Sequence, residues 1–513
     1  MLNITPQTYQ LAEQFAQLHG ILRKTNDIPS TLSCTLLPSP FPSFSLDLAK
    51  TVQKDFNLLF HRVACDHDFL NSLMEHVITQ DNYVKHLWNI YERVRNIKNV
   101  QNIFLGLNRS DYMLHQEPGC CSSITERLHC IEKASASPVI TADLTGVPGL
   151  SLRQVEFNLM ASSFCGLAQR IVEQHRVSLS LCGIKGDQLS RVPDCNSADN
   201  FADALWKACE LYREHVTRAD RDRTESRTVY GAVLMVVAAN ETNVYDQYAL
   251  LSRLLLRHPE ATVLVCTFEE LVESKERLQL DDQSRLFVDE IEVAVIYFRH
   301  GYVPEHFPTE EMWELKYELE RSMAIKCPCI QYMLANTKLV QAALSKPDQL
   351  ARFVDCTSVA YSRMLSTFAK QYTLSDAFGL SNKEEIAQIV ETCKKSPHLY
   401  VLKPQREGGG NNFFDDDLVR MLNRVIEQGD QHSYVIMERL YPFVVENYVL
   451  HSKRTHDRRQ MVSELGIFGA FIGRGDEVFL NKPSGHLLRT KPIESNEGGI
   501  AAGYGFLDSP FLV

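Results

Sequence analysis

The pattern of apolar and polar positions divides the chain into three stretches of different character. Over residues 8–22 and again over 46–97 apolar side chains recur at three- and four-residue spacing, which predicts amphipathic helices packed on one face. From residue 229 the pattern changes to short apolar runs (232–238, 261–266, 293–298) separated by helix-like segments at 246–257 and 269–277, with a further strand-like piece at 286–289. Strand–helix alternation with short links predicts an open parallel α/β unit of about 100 residues. Beyond Pro397 the alternation gives way to strand patterns at 399–403, 434–438, 463–471 and 478–481, with one helix at 416–427, which predicts mainly antiparallel sheet. The expected division is 1–228 (helical, plus a strand at 153–158), 229–336 (parallel α/β) and 337–513. The Ser-, Cys-, Pro- and Gly-rich stretch 117–148 separates Leu107-Asn-Arg-Ser-Asp-Tyr-Met113 from that strand and predicts an inserted loop.

Composition narrows the function classes only where it departs from the globular average. The 53 Lys+Arg against 64 Asp+Glu leave a net charge of −11, so no basic footprint for nucleic acid is present and any anionic ligand must be met by local cations. No apolar run approaches the roughly 20 residues of a membrane span, and the N-terminal residues carry no secretory pattern, so a cytoplasmic protein is expected. Fourteen scattered cysteines without a Cys-x-x-Cys pair point to buried, reduced thiols. The usual short signatures of P-loop enzymes, Rossmann dehydrogenases, zincins and serine hydrolases are absent.

What remains is a set of segments carrying phosphate and metal chemistry. Lys403-Pro-Gln-Arg-Glu-Gly-Gly-Gly-Asn-Asn412 follows a strand pattern with a lysine, a carboxylate (Glu407), three glycines (Gly408, Gly409, Gly410) and two amides (Asn411, Asn412). Glycines let the backbone approach a ligand closely and offer N–H groups to phosphate oxygens, while Lys403 can reach the same oxygens and Glu407 can hold a divalent cation. Glu156 and Asn158, two apart on a strand, point the same way and add two oxygen ligands of the kind Mg²⁺ takes. Arg489 and Lys491 share a strand face beside a second glycine-rich loop at 497–503, an arrangement that suits an anionic transition state under a lid.

Taken in order along the chain, these segments together with Phe104 to Met113 and Ser463-Glu-Leu-Gly-Ile-Phe-Gly469 resemble eukaryotic glutathione synthetases, from about residue 52 to the end. The resemblance implies a permuted ATP-grasp fold, of mixed α/β and α+β class, and an ATP-dependent carboxylate–amine ligase that joins γ-glutamylcysteine to glycine through an acylphosphate. It further implies Mg²⁺ on Glu156, Asn158 and Glu407, ATP as co-substrate, and a homodimer. Lys338 and Lys403 would contact the phosphates and, with Arg489, carry catalysis. Met437, Glu438, Arg439 and Leu440 would line the adenine site, and Glu464, Lys491 and Glu497 would also face the nucleotide. The peptide would meet Arg109, Met160, Ala161, Ser162, Ser163, Glu241, Thr242, Asn243, Gln247, Arg299, His300, Gly301, Tyr302 and Arg489, with Ile500 and Ala501 in the lid over the acceptor.

Departures from the family pattern lie on the peptide side: Ala161 stands for a serine, Cys165 for a glycine and His300 for an aspartate. Two further readings follow from them. One is a glutathione-synthetase-like ligase with altered peptide or acceptor specificity and little glutathione synthetase activity, as in a secreted effector. The other is a binding protein that uses the scaffold without turnover, against which the intact lysines and metal ligands speak.

Overall fold

The computed structural model describes residues 4–97, 100–116, 150–219, 231–406, 410–450, 457–496, 498–500 and 503–513. Its centre is a seven-stranded sheet whose strands come from distant parts of the chain: β1 (Cys34–Thr35), β2 (Phe104–Gln116), β3 (Leu150–Asn158), β4 (Val444–Leu450), β5 (Arg458–Arg474), β6 (Glu477–Pro492) and β7 (Phe506–Asp508). Their order is β4-β1-β7-β6-β5-β2-β3, and an additional β4–β5 pairing folds the sheet back on itself. Side chains alternate across it. Leu465 and Ile467 join one core with Phe56, Phe60 and Phe157, whereas Phe468, Ala470 and Ile472 join another with Leu167, Ile171 and Phe201. The helix Ser43–Cys65 therefore covers one face, and the helices Cys165–Leu181 and Ser197–Ala219 cover the other. Phe60 stacks on Phe157 with centroids 4.1 Å apart. Full burial of a ring of that size is worth roughly 1.5–3 kcal/mol, so helix and sheet hold each other.

The N-terminal part departs from the all-helical expectation. The helices Pro6–Leu18, Ser43–Cys65, His67–Val77 and Asn82–Arg95 form as the spacing predicts, but between the first two lie the hairpin Leu22–Thr25/Ile28–Thr31 and short strands at Cys34–Thr35 and Ser39–Phe41. The two short strands have no local pattern because their partners are β4, β7 and the C-terminal strand Pro510–Leu512.

The α/β unit is also more mixed than expected. Val263–Thr267, Ala232–Val237, Ile291–Phe298 and Ile325–Cys327 are parallel, yet Leu286–Val288 and Leu278–Leu280 add an antiparallel edge. A third sheet, of Gln371–Thr373, Tyr434–Glu438 and Tyr400–Pro404, is antiparallel and packs on the helices Lys383–Lys395 and Asp415–Gln428. The insertion at 117–148 lies outside the described residues. Nine of the eleven described cysteines are buried, all as free thiols. No helix among the described residues is long and apolar enough to cross a membrane.

Two histidines in the sheet core make the fold acid-sensitive. Burial pushes His486 down to about 3 and His175 down to about 4. Between those values and the unfolded value near 6.5 the unfolded chain binds more protons, so stability rises with pH through this window and is lost on acidification. Asp508, which burial raises to about 6, opposes them between roughly pH 3.9 and 6, where the folded state holds the extra proton. The His486 contribution lost between pH 7 and pH 5 is on the order of 2 kcal/mol. The thermal midpoint is expected to fall by a few degrees over that interval, and His486→Leu should remove part of the fall; a fall of the same size in the variant would refute the assignment.

Candidate functional site

The site begins at the end of β3. There Phe157 N donates to Gln341 Oε1 (2.9 Å) and Leu159 N to Asn336 Oδ1 (2.6 Å), so segment 336–341 docks on the strand through two side chains. That docking carries Lys338 to Glu156, with Nζ 2.9 Å from Oε2. Lys403, at the far end of Tyr400–Pro404, donates to the Val155 carbonyl (3.3 Å). Glu156 and Asn158 do share a face, and Asn158 Nδ2 donates to Glu156 Oε1 (3.2 Å). Burial pushes the Glu156 carboxyl upward, but Lys338, Lys403 and Arg489 outweigh it and hold the group well below the usual carboxylate range. The site thus keeps an ionised carboxylate beside two lysines.

A second cluster lies across β2, β5 and β6. Arg109 donates through Nε (2.6 Å) and Nη2 (2.9 Å) to Asp111, and Arg489 Nη2 and Asn158 Nδ2 each lie 2.8 Å from the same carboxylate. Arg489 also pairs with Glu464. Burial raises the Glu464 carboxyl, with Asp111 and Glu156 adding to the rise and Arg489 opposing it. Burial disfavours the Arg489 charge, yet Asp111, Glu464 and Glu156 more than compensate and secure it.

The third element is the turn 161–164 between β3 and the helix Cys165–Leu181. Ala161 (φ 46°) and Phe164 (φ 74°) both sit in the left-handed region, which strains residues with a Cβ. Asp246 holds the turn by accepting from the N–H groups of Phe164 (2.7 Å), Gly166 (2.7 Å) and Leu167 (3.3 Å), which stabilises the helix start as a capping carboxylate does. Gly166 permits this approach: a Cβ there would lie 2.6 Å from Ala249 Cβ and 2.7 Å from the Asp246 carbonyl. From behind, Arg299 donates to Ser162 O (2.8 Å) and Ser163 Oγ (2.9 Å), and Arg109 Nη1 donates to Ser163 O (3.1 Å).

These three elements enclose one cavity of about 570 Å³. Its wall carries Arg109, Glu156, Asn158, Met160, Ala161, Ser162, Ser163, Tyr302, Lys338, Lys403, Asn411, Asn412, Met437, Glu438, Arg439, Leu440, Glu464, Arg489, Lys491 and Ile500, all singled out by sequence. Arg439 is braced by Asp415 (2.9 Å) and Asn496 (3.0 Å), and Lys491 donates to the Asn496 carbonyl (2.7 Å). Gly410 is described next to this wall with φ 76°, whereas Glu407, Gly408, Gly409, Glu497 and Ala501 lie outside the described residues. A smaller cavity of about 270 Å³ shares Met160, Tyr302 and Arg406 with the main one.

Other expected peptide residues sit behind the wall. Glu241 accepts from Asn243 N (2.7 Å) and Gln247 Nε2 (2.9 Å), forming a polar layer next to Asp246, and the Thr242 carbonyl accepts from Lys24 N (2.8 Å). His300 stacks on His306 with centroids 3.7 Å apart, and His306 Nδ1 accepts from Gly301 N (3.1 Å) and Tyr302 N (3.4 Å), shaping the turn that presents Tyr302. Cys165 is buried at the start of its helix, where burial drives its thiol far up and keeps it protonated.

Sequence reasoning missed Asp111, Asp246, Asn336 and Gln341 as parts of the site. For Asp111 a signal existed: Arg109 and Asp111 are two apart, hence on one face, inside a strand that is otherwise buried. For Asp246, Asn336 and Gln341 nothing in spacing points to partners 80 to 180 residues away.

Comparison with known proteins identifies the family. A family model described as eukaryotic glutathione synthase, ATP binding domain, matches residues 5–512. The chain is 35 % identical to glutathione synthetase of Bos taurus and to that of Homo sapiens, in each case over 100 % of this chain and 98 % of the other. It is 33 % identical to the chloroplastic glutathione synthetase of Arabidopsis thaliana over 97 % of this chain and 84 % of that one. Among solved structures, a glutathione synthetase-like effector of Globodera pallida in its apo form superposes with a TM-score of 0.72 at 21 % identity, covering 100 % of this chain and 98 % of that one. At that identity the likeness speaks for the fold. The chain belongs to the eukaryotic glutathione synthetase family of ATP-dependent ligases.

Proposed function

We propose that this chain joins γ-glutamylcysteine to glycine at the expense of ATP, as a glutathione synthetase with a permuted ATP-grasp fold. The observation that carries the reading is the convergence of Lys338, Lys403 and Arg489 with the ionised Glu156 on one cavity wall. The division of labour follows the chain: 1–228 contributes metal and peptide residues, 229–336 further peptide residues, and 337–513 the nucleotide side, Arg489 and the lid.

The residues present fit Mg²⁺. Glu156 and Asn158 lie on one strand face at the cavity wall, and their carboxylate and amide oxygens are hard donors of the kind Mg²⁺ takes beside oxygens from phosphate and water. Glu156 and Asn158 would hold it, with Glu407 as the proposed third ligand. When bound it screens the charge of the phosphate oxygens.

The protein's own part is positioning and charge. Two anions, the dipeptide carboxylate and the γ-phosphate, must meet in line, and Lys338, Lys403 and Arg489 offset their repulsion. A carboxylate oxygen forms the bond to phosphorus as ADP leaves. The glycine nitrogen then attacks the acyl carbon and phosphate departs. Asn411, Asn412 and the Met437–Leu440 segment support the nucleotide, Arg109, the 161–163 turn and Tyr302 the dipeptide, and Ile500 the acceptor end. The same proposal includes a cytoplasmic homodimer.

Altered specificity is the second reading. It draws on Ala161, which lines the cavity where the family has a serine, and on the adjoining 270 Å³ cavity with room for extra ligand atoms.

Purified protein is expected to release ADP only with ATP, Mg²⁺, γ-glutamylcysteine and glycine together, and to yield a product of glutathione's mass. Turnover with other γ-glutamyl peptides or amines but not these would select the second reading. Lys403→Met should lower kcat/KM about 100-fold or more, in line with the loss of one preorganised donor to developing charge; unchanged ADP release would show that the nucleotide site is wrongly assigned. Ala161→Ser should lower KM for γ-glutamylcysteine about two- to tenfold by adding one hydrogen bond. An unchanged KM would mean that the hydroxyl does not reach the peptide.

A further inference from the structure

We infer that Asp111, seated in the gap over Gly466, is the positioning residue that sets Arg109 and Arg489 at the spacing the phosphorylated carboxylate requires. The inference rests on the ligase reading above and deepens it.

Asp111 is fully buried and accepts from four donors: Arg109 Nε and Nη2, Arg489 Nη2 and Asn158 Nδ2. Three of these donors converge on Oδ2 and one on Oδ1, and full burial behind them keeps the carboxylate out of a substrate's reach. It acts through its partners. Both arginines also line the main cavity, and Asn158 stands beside Glu156 there. One carboxylate thus ties together the two guanidiniums of the peptide side and an amide of the metal side.

The room for this arrangement is built into the neighbouring strand. Gly466 on β5 stands in register with Asp111 on β2. A Cβ there would lie 2.7 Å from Arg109 Cδ, 3.0 Å from Asp111 Oδ1 and 3.2 Å from Arg109 Nε. Its backbone is outside the left-handed region, so the strand itself would accept any residue. What excludes a side chain is the arginine lying across the strand to reach Asp111. An ion pair needed for folding alone would not have to leave both guanidiniums on a ligand cavity.

Electrostatics supports the same role. Arg109, Arg489, Lys338 and Lys403 share one wall, and without a buried anion between the two arginines their mutual repulsion would drive the long side chains apart. With Asp111 in place Arg109 is held through Nε and Nη2, with Nη1 on the Ser163 carbonyl, and Arg489 through Nη2, a preorganised arrangement for charge that develops on a transferring phosphoryl group.

The test is Asp111→Asn, of the same shape, compared with wild type in dipeptide- and glycine-dependent ADP release, calorimetric ADP binding and thermal unfolding. The expected result is a fall in kcat of about 100-fold or more per folded molecule, with the Kd for ADP within twofold of wild type. A kcat within threefold of wild type would overturn the proposal, as would a loss accounted for entirely by a lower folded fraction. Should that variant fail to fold, Gly466→Ala displaces Arg109 while leaving every charge in place. It is expected to raise KM for γ-glutamylcysteine and lower kcat at least tenfold with ADP affinity retained, and wild-type kinetics in it would equally overturn the proposal. Absence of dipeptide-dependent ADP release from the wild-type protein would instead overturn the ligase reading on which the proposal stands.

Discussion

The architecture turns on one constraint: several cations converge on a single cavity, and their mutual repulsion must be offset from within the protein. Buried carboxylates meet that constraint. Asp111 lies between Arg109 and Arg489, Glu464 pairs with Arg489, and Glu156 sits against Lys338 with Lys403 nearby. Lys338 and Lys403 keep the Glu156 carboxyl ionised against its burial, and Asp111, Glu464 and Glu156 secure the Arg489 charge in the same way. The wall therefore suits a polyanion.

The seven-stranded sheet brings those pairs together from strands far apart in the chain. Asp111 lies on β2, Glu464 on β5 and Arg489 on β6, and the register of β5 with both neighbours brings the three to one place. A slip of one residue in any pairing would turn a charged side chain from the cavity into a hydrophobic core. The two apolar layers, one around Phe56, Phe60 and Phe157 and the other around Phe201 and Phe468, forbid that slip. Core packing thereby fixes the electrostatics of the site.

The peptide side depends on a different device. The 161–164 turn holds two residues in the left-handed region, and such strain persists only where the surroundings over-determine it. Asp246 from the parallel unit caps the helix that follows, while Arg299 and Arg109 grip the turn from two directions. Ala161 at its head adds to the cavity's contact surface but to none of these supports. His300 stacks on His306 away from the cavity wall, so it bears on the Tyr302 turn.

Local sequence by itself determined the long helices, the strand–helix alternation after residue 229, the late strands and the helix Asp415–Gln428, because amphipathic periodicity is a property of neighbours along the chain. Residue types also marked Glu156, Asn158, Lys403, Asn411, Asn412, Arg489 and Lys491, because glycine-rich and charged strand ends carry their chemistry in their residue types, while the rest of the expected wall followed from the resemblance to the family. Only the tertiary structure decided the rest. The short strands Cys34–Thr35 and Ser39–Phe41 form against segments more than 400 residues away, and Asp246, Asn336 and Gln341 work through partners 80 or more residues distant. Asp111 was visible as half of an Arg-x-Asp pair on one strand face. That it also holds Arg489 follows from sheet register, which long-range pairing sets and no local pattern encodes.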